Sequence, residues 1–116
     1  MSLLVGDVIR RAARRCPDRV AVSLGEQSVT FAELDATANR MAGLLRDRGV
    51  DYGHRIGWRG ETAIEVATLF VALARLGAVF VPLNSRLSDA ELDAVLAKAR
   101  LHHVLTTGEV AEGTVS

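Results

Sequence analysis

Between Glu61 and Leu83 the chain carries two apolar segments joined by one glycine, and few folds can accommodate them. The first, Glu61 to Leu76, has helical length and is apolar on nearly every side: Ile64, Val66, Ala67, Leu69, Phe70, Val71, Leu73 and Ala74. A helix without a polar face has to be covered from several directions. Gly77 is placed to end it as a left-handed cap. Ala78 to Leu83 is then a continuous apolar run, the pattern of a strand buried on both faces of a parallel sheet. Pro82 stops it.

The flanking residues extend this into a β-α-β-α-β series. His54 to Trp58 reads as a short strand before the apolar helix. Ser88 opens a further helix through S-D-A-E, a capping box in which Ser and Glu exchange bonds with each other's backbone N–H. Leu92, Val95, Leu96 and Ala99 form its inward stripe, and His103 to Thr106 is a third strand. Crossovers of this length imply parallel pairing and right-handed connections. Upstream, Leu4, Val8, Ala12 and Cys16 recur at helical spacing, and the helix ends at Pro17. Arg19 to Leu24 and Ser28 to Thr30, around Gly25-Glu26-Gln27, read as a hairpin. Thr30 and Glu33 form a second capping box, with Leu34, Ala38, Met41 and Leu45 buried behind it and Gly49 ending the helix. The expected fold class is therefore α/β: an N-terminal helix, a β-hairpin, then a parallel β-α-β-α-β unit. Residues 1–107 carry this pattern, and 108–116 are short, polar and unpatterned, a loop or frayed tail.

A chain of 116 residues is one domain or part of one. At that size it buries roughly two-thirds of its unfolded surface. Aromatic residues are 4% of the total, so the core has to be made of Ala, Val and Leu. Fourteen basic and 14 acidic residues cancel, which leaves no overall charge for nucleic acid or an anionic membrane. In the N-terminal stretch the charges follow the apolar part, the reverse of a signal peptide, and no run reaches membrane-spanning length. A cytoplasmic location is the expectation.

Few residues invite chemistry. Cys16 is the single cysteine, with no His near it in sequence, so it reads as a packed or indifferent thiol. Lys98 is the single lysine and lies mid-helix. His54, His102 and His103 lack the spacing of metal ligands, and adjacent strand residues point to opposite faces. Glu61 and Glu65 share a helix face as surface or packing residues. Arg10, Arg11, Arg14 and Arg15 could be called a phosphate site, but they read better as the solvated face of the first helix. Neither GxGxxG nor GxxxxGK[ST] occurs. No catalytic residue and no metal site is expected.

The order of these elements is itself informative. A helix ending in Pro17-Asp18, a hairpin, VTFAEL at 29–34, the G-x-R-I strand from Gly53, a helix carrying Glu65, and LARLGAVFVPLNSR at 73–86 follow one another. This succession resembles the start of the adenylate-forming superfamily: acyl-CoA synthetases, luciferases and the adenylation domains of peptide synthetases. It covers Leu3 to Thr107. The resemblance implies part of the large N-terminal domain of such an enzyme. It implies an ATP-dependent acid–CoA ligase that activates a carboxylic acid as its acyl-adenylate, with ATP, Mg2+ and CoA as cofactors of the complete enzyme. It also implies that this chain alone is an inactive scaffold partnered by the remainder of the parent. The family's phosphate loop, ribose-binding Asp and catalytic Lys have no counterpart here, and Lys98 is not at a matching position. Fatty and aromatic acids both remain open as substrates. So do the start of a peptide-synthetase adenylation domain and a standalone non-catalytic α/β interaction module. One residue carries over. Ligases of this kind read N-x-R-L after V-P-L-N, here Asn84 to Leu87, which makes Arg86 a candidate contact to a CoA phosphate. A guanidinium suits that role because it stays charged and grips phosphate with two bonds. Arg86 is equally explained as a loop arginine pairing with Asp89 or solvent. The family often has a P-N-S/C-like turn where this chain has Trp58 to Thr62, which blurs any subfamily assignment.

Overall fold

The computed structural model describes residues 5–60, 63–83 and 86–106. In chain order it contains α1 (Val5–Arg15), β1 (Val20–Leu24), β2 (Gln27–Thr30), α2 (Phe31–Asp47), β3 (Arg55–Arg59), α3 (Glu65–Leu76), β4 (Val79–Leu83), α4 (Asp89–Ala99) and β5 (His103–Thr106). β1 and β2 form an antiparallel hairpin. β3, β4 and β5 form a parallel sheet in the order β4-β3-β5. The fold is α/β, with the helix, hairpin and parallel unit in the expected order.

Local chemistry accounts for most helix ends. The Thr30 hydroxyl accepts from the Glu33 N–H at 3.2 Å, and the Thr30 N–H donates to Glu33 Oε1 at 2.9 Å. Ser88 and Glu91 repeat this box at the start of α4, at 3.2 and 3.1 Å. Gly77 ends α3 at φ 71°, in the left-handed region where a side chain would be strained. The ring of Tyr52 lies against it, so a Cβ there would come within 2.3 Å of Tyr52 Cδ2.

The core has two parts that meet at α3. Met41 and Leu45 of α2, Val50, Ile56 and Trp58 of β3, Leu105 of β5, and Leu69, Ala72 and Leu73 of α3 form the larger cluster. Leu34 and Ala38 of α2 with Val71 of α3 form the smaller one, against Ile9, Ala21, Val22 and Val29. Helix α3 is therefore covered by the sheet, by α2 and by α1, as its all-round apolarity requires. Phe70 is the exception: it remains 45% exposed and meets Phe80 edge-on at 5.9 Å.

Three expectations need correction. Helix α3 begins at Glu65 rather than Glu61; Glu61 and Thr62 lie outside the described residues, and Ala63 and Ile64 precede the helix. Ile64 supplies no side-chain cap, so the first turn closes through the tight bonds Val66 N–H to Ala63 O and Ala67 N–H to Ile64 O. In α1 the expected stripe holds only in part, since Ala12 and Cys16 are half-buried but Val8 is not. Val8 is 44% exposed, while Gly6 is buried and Ile9 packs on the small cluster. The helix is turned this way because Arg75 of α3 presses on Gly6, where a Cβ would lie 2.6 Å from Arg75 Cγ. Finally, the inward stripe of α4 is only half-buried, and no residue of α4 is buried.

Arg75 is the one strongly charged group drawn inside among the described residues, with its side chain 8% exposed. It forms an ion pair with Asp35 Oδ1 and donates to Asp35 O at 3.0 Å, Asn39 Oδ1 at 2.8 Å and Gly6 O at 3.3 Å. It thereby ties α1, α2 and α3 together.

Candidate functional site at the carboxyl end of the parallel sheet

In open parallel α/β sheets, ligands bind outside the carboxyl ends of the strands, where neighbouring crossovers leave for opposite faces. Strand β3 is such a point. Ile56 and Trp58 point into the core with α3 and α2. Gly57, on the opposite pleat, faces Leu101, Leu83 and Val104, so the chain returning from α4 covers the other face. The β3–α3 and β4–α4 connections thus diverge next to each other.

The rim of this crevice is basic. Arg59 ends β3 in register with Leu83 of β4 and Thr106 of β5. Its Nη2 donates to Leu87 O at 3.4 Å, which links the end of β3 to the turn entering α4. Arg86 is exposed in that same turn. Asn84 and Ser85, which share the motif with Arg86, lie outside the described residues. Sequence reasoning singled out Arg86 and missed Arg59. The available signal was a cation closing a strand of a parallel sheet.

The start of α4 adds less to an anion site than its free N–H groups would suggest. The capping box occupies the Ser88 and Glu91 N–H groups. Asp89 and Glu91 also bring two carboxylates to the first turn. Bonds from the Ser88 backbone and then its side chain hold Glu91 below the usual carboxylate range, so it stays ionised. Positive charge at this edge comes from Arg59 and Arg86 and not from the helix terminus. No loop among the described residues resembles one able to cradle a triphosphate.

Elsewhere, Arg11, Arg14 and Arg15 line a shallow concavity on the exposed side of α1. Cys16 is a half-buried free thiol. Lys98 lies exposed near the end of α4, far along the helix from the Arg86 turn. The three imidazoles, scattered in sequence, converge at the amino end of the sheet. His54 and His102 stack at 4.2 Å and 11°, and His103 sits 6.4 Å from His54. They meet because β3 and β5 run parallel, so the residues before the two strands become neighbours. Among the described residues no group of His, Cys, Asp and Glu is arranged to hold a metal ion. No helix among them is long and apolar enough to cross a membrane.

Comparison with known proteins agrees with this architecture. The AMP-binding enzyme family matches residues 9–115. A feruloyl-CoA synthase of Amycolatopsis is 39% identical over 102 residues, 88% of this chain and 21% of that protein. A linear gramicidin synthase of Brevibacillus parabrevis is 30% identical over 102 residues, 88% of this chain and 1% of that protein. The N-terminal subdomain of Klebsiella oxytoca NpsA, solved with 3-hydroxyanthranilyl-AMSN, superposes with a TM-score of 0.84 at 26% identity, covering 97% of this chain and 29% of the other. The chain thus spans about a fifth or less of the length of these two curated relatives, and corresponds to an N-terminal part of the enzymes of this family. With the family matched over nearly all of its length, this chain belongs to the AMP-binding enzymes.

Proposed function

We propose that residues 1–107 are the N-terminal portion of an ATP-dependent acid–CoA ligase, with 108–116 as a connecting tail. In this reading the parent enzyme converts a carboxylic acid and ATP to an acyl-adenylate and pyrophosphate, then passes the acyl group to CoA. The chain's own contribution is one wall of the large domain plus a basic rim. The observation that carries the ligase reading is the turn 84–87. Its sequence is N-x-R-L, and in its described part Arg86 is exposed and Arg59 is tied to Leu87 O. Two guanidinium groups at one strand-end crevice suit the phosphates of a CoA nucleotide. ATP, Mg2+ and CoA are cofactors of the complete enzyme, and the partners of this chain are the rest of that enzyme and its acid substrate. A cytoplasmic setting goes with it.

The test uses the 116-residue chain. CoA is titrated in while amide resonances are followed, with pantetheine, which lacks the nucleotide, as control. CoA alone should shift Arg59, Arg86 and Leu87, and Arg86→Gln should abolish the shift. Equal shifts from pantetheine, or none from either, would remove Arg86 from the site. Incubation with ATP, Mg2+ and fatty or aromatic acids should release no pyrophosphate. Release would overturn the scaffold reading.

A second reading, the start of a peptide-synthetase adenylation domain, is favoured by the similarity to gramicidin synthase and to NpsA. It predicts no preference for CoA over pantetheine. A standalone interaction module predicts no CoA response at all.

A further inference from the structure

Among the described elements helix α4 is the least anchored, whereas the strand after it, β5, pairs with β3 over four residues and buries Leu105. No residue of α4 is buried, and its contacts with other elements are sparse. What ties the end of α4 to the sheet is a joint at Ala99–His102. The Arg55 guanidinium reaches from β3 to the last carbonyls of α4: Nε donates to Ala99 O at 2.8 Å and to Arg100 O at 3.1 Å, and Nη2 to Arg100 O at 2.9 Å. These bonds hold Arg100 at φ 50°, a left-handed conformation unfavourable for a residue with a side chain. Next to them, Arg55 and His102 make a reciprocal pair. The His102 N–H donates to Arg55 O at 2.8 Å, and the Arg55 N–H donates to His102 Nδ1 at 3.0 Å. An imidazole nitrogen therefore substitutes for the carbonyl that a longer β5 would have supplied.

That substitution has a chemical consequence. A ring nitrogen that accepts a hydrogen bond carries no proton, so neutral His102 is protonated at Nε2. The only nitrogen able to take a further proton is Nδ1, the one already in use. Protonation turns this acceptor into a donor aimed at the Arg55 N–H, and the bond is lost. The ring also stacks on His54, whose Nδ1 accepts from the Asp51 N–H at 3.1 Å under the same constraint.

We propose that the Arg55–His102 joint is a proton-operated latch, and that uptake of one proton from solvent at His102 Nδ1 loosens α4 and the turn after it, Asp89–His102, from β3 while β5 stays paired. The surrounding charges favour the closed, neutral form. The strand β3 presents Arg55, the turn before it His54, and β5 His103. The α4 side brings Lys98 and Arg100, both cations. β4 contributes Val79, which bonds to His54 O and carries no charge. Asp51, before His54, is engaged by the Tyr52 N–H at 2.7 Å. His102 is held below the ordinary imidazole value by desolvation first, then by His54, Arg55 and His103, against a backbone hydrogen bond with Arg55 that acts the other way. A depressed histidine in the folded state means that unfolding or opening takes up protons. The closed joint is therefore fully stable above about pH 6.5 and loosens as the pH falls below it.

Hydrogen exchange at pH 7.5, 6.5 and 5.5, expressed as protection factors, tests this. Amides of α4 should lose protection on acidification, by up to about tenfold per pH unit for one linked proton, while those of β5 keep theirs. Those of α2 and α3 should keep theirs. The ring signals of His102 should titrate over the same pH range as the loss. In His102→Asn the amide oxygen takes the place of Nδ1, accepts the Arg55 N–H and cannot titrate. Protection in that variant should be high and independent of pH. Wild-type protection that does not change with pH, or His102 titrating apart from it, would overturn the latch, and so would an unaltered pH response in His102→Asn. The two wild-type measurements decide the matter even if the variant fails to fold.

Discussion

Removing Asp35 should cost more than removing Arg75, although the two share one ion pair. The Arg75 side chain is 8% exposed and that of Asp35 is 23% exposed. In Asp35→Ala the guanidinium stays buried against three neutral acceptors, the residue 35 carbonyl, Asn39 Oδ1 and Gly6 O. An uncompensated buried charge typically costs about 3–5 kcal/mol, and the partial access of water at Asp35 puts this case near about 3 kcal/mol. In Arg75→Met the thioether side chain fills much of the space and no charge is stranded, because Asp35 can turn to solvent. The two backbone carbonyls belong to α1 and α2, where the helical ladder also engages them. The loss should then be about 1 kcal/mol. The double variant should match Arg75→Met, which gives a coupling of about 3 kcal/mol. Urea unfolding at pH 7 measures all three, with unchanged m confirming that stability alone has moved. If Arg75→Met proves as damaging as Asp35→Ala, or if the two losses add, the stranded-charge account is wrong.

Other substitutions separate packing from propensity. Gly57→Ala would place a Cβ 2.7 Å from Leu101 Cδ1 and 3.1 Å from Leu83 Cδ1, and should destabilise by about 1–3 kcal/mol in the same urea assay. Gly43→Ala, inside α2 with nothing within 4 Å of the new atom, should instead stabilise by about 0.5–1 kcal/mol. Thr30→Ala, which removes the α2 cap, should cost about 1 kcal/mol in thermal or urea unfolding. Glu33 and Glu91 are both held below the ordinary 4.5 by backbone and then side-chain bonds to Thr30 and Ser88. Their contribution is complete above pH 4.5 and is lost as the pH falls through the lowered values. Unfolding followed from about pH 5 to about pH 2 should show this acid arm flattened in Glu33→Gln.

Elements whose limits are set by local bonds were readable from the chain. The two capping boxes and the glycines after α2 and α3 lie where the residues indicated, since each needs only a few neighbours to form. The parallel pairing followed from crossover length. The start of α3 was not readable, because an apolar helix shows no periodic edge and Ile64 has no capping side chain. The face of α1 was readable only in part, because it depends on Arg75, which is 69 residues from Gly6. The same distance problem hid the cluster of imidazoles and the bond from Arg59 to Leu87 O. Both are products of strand register, and register becomes visible only once the sheet is assembled. Arg86 was singled out by motif, and the structure adds only what lies near it.

Adjacent residues of α3 belong to different cores: Val71 to the smaller cluster, Ala72 and Leu73 to the larger. One helix is thus common to the hairpin half and the sheet half, and neither half can lose it and keep its own interior. The two core clusters are consequently coupled through α3 despite the chain having two sheets. A cut in the 48–54 connection would sever the chain between α2 and β3 without separating the halves, because α3 would still bridge them. The same cut within α3 would divide both interiors at once.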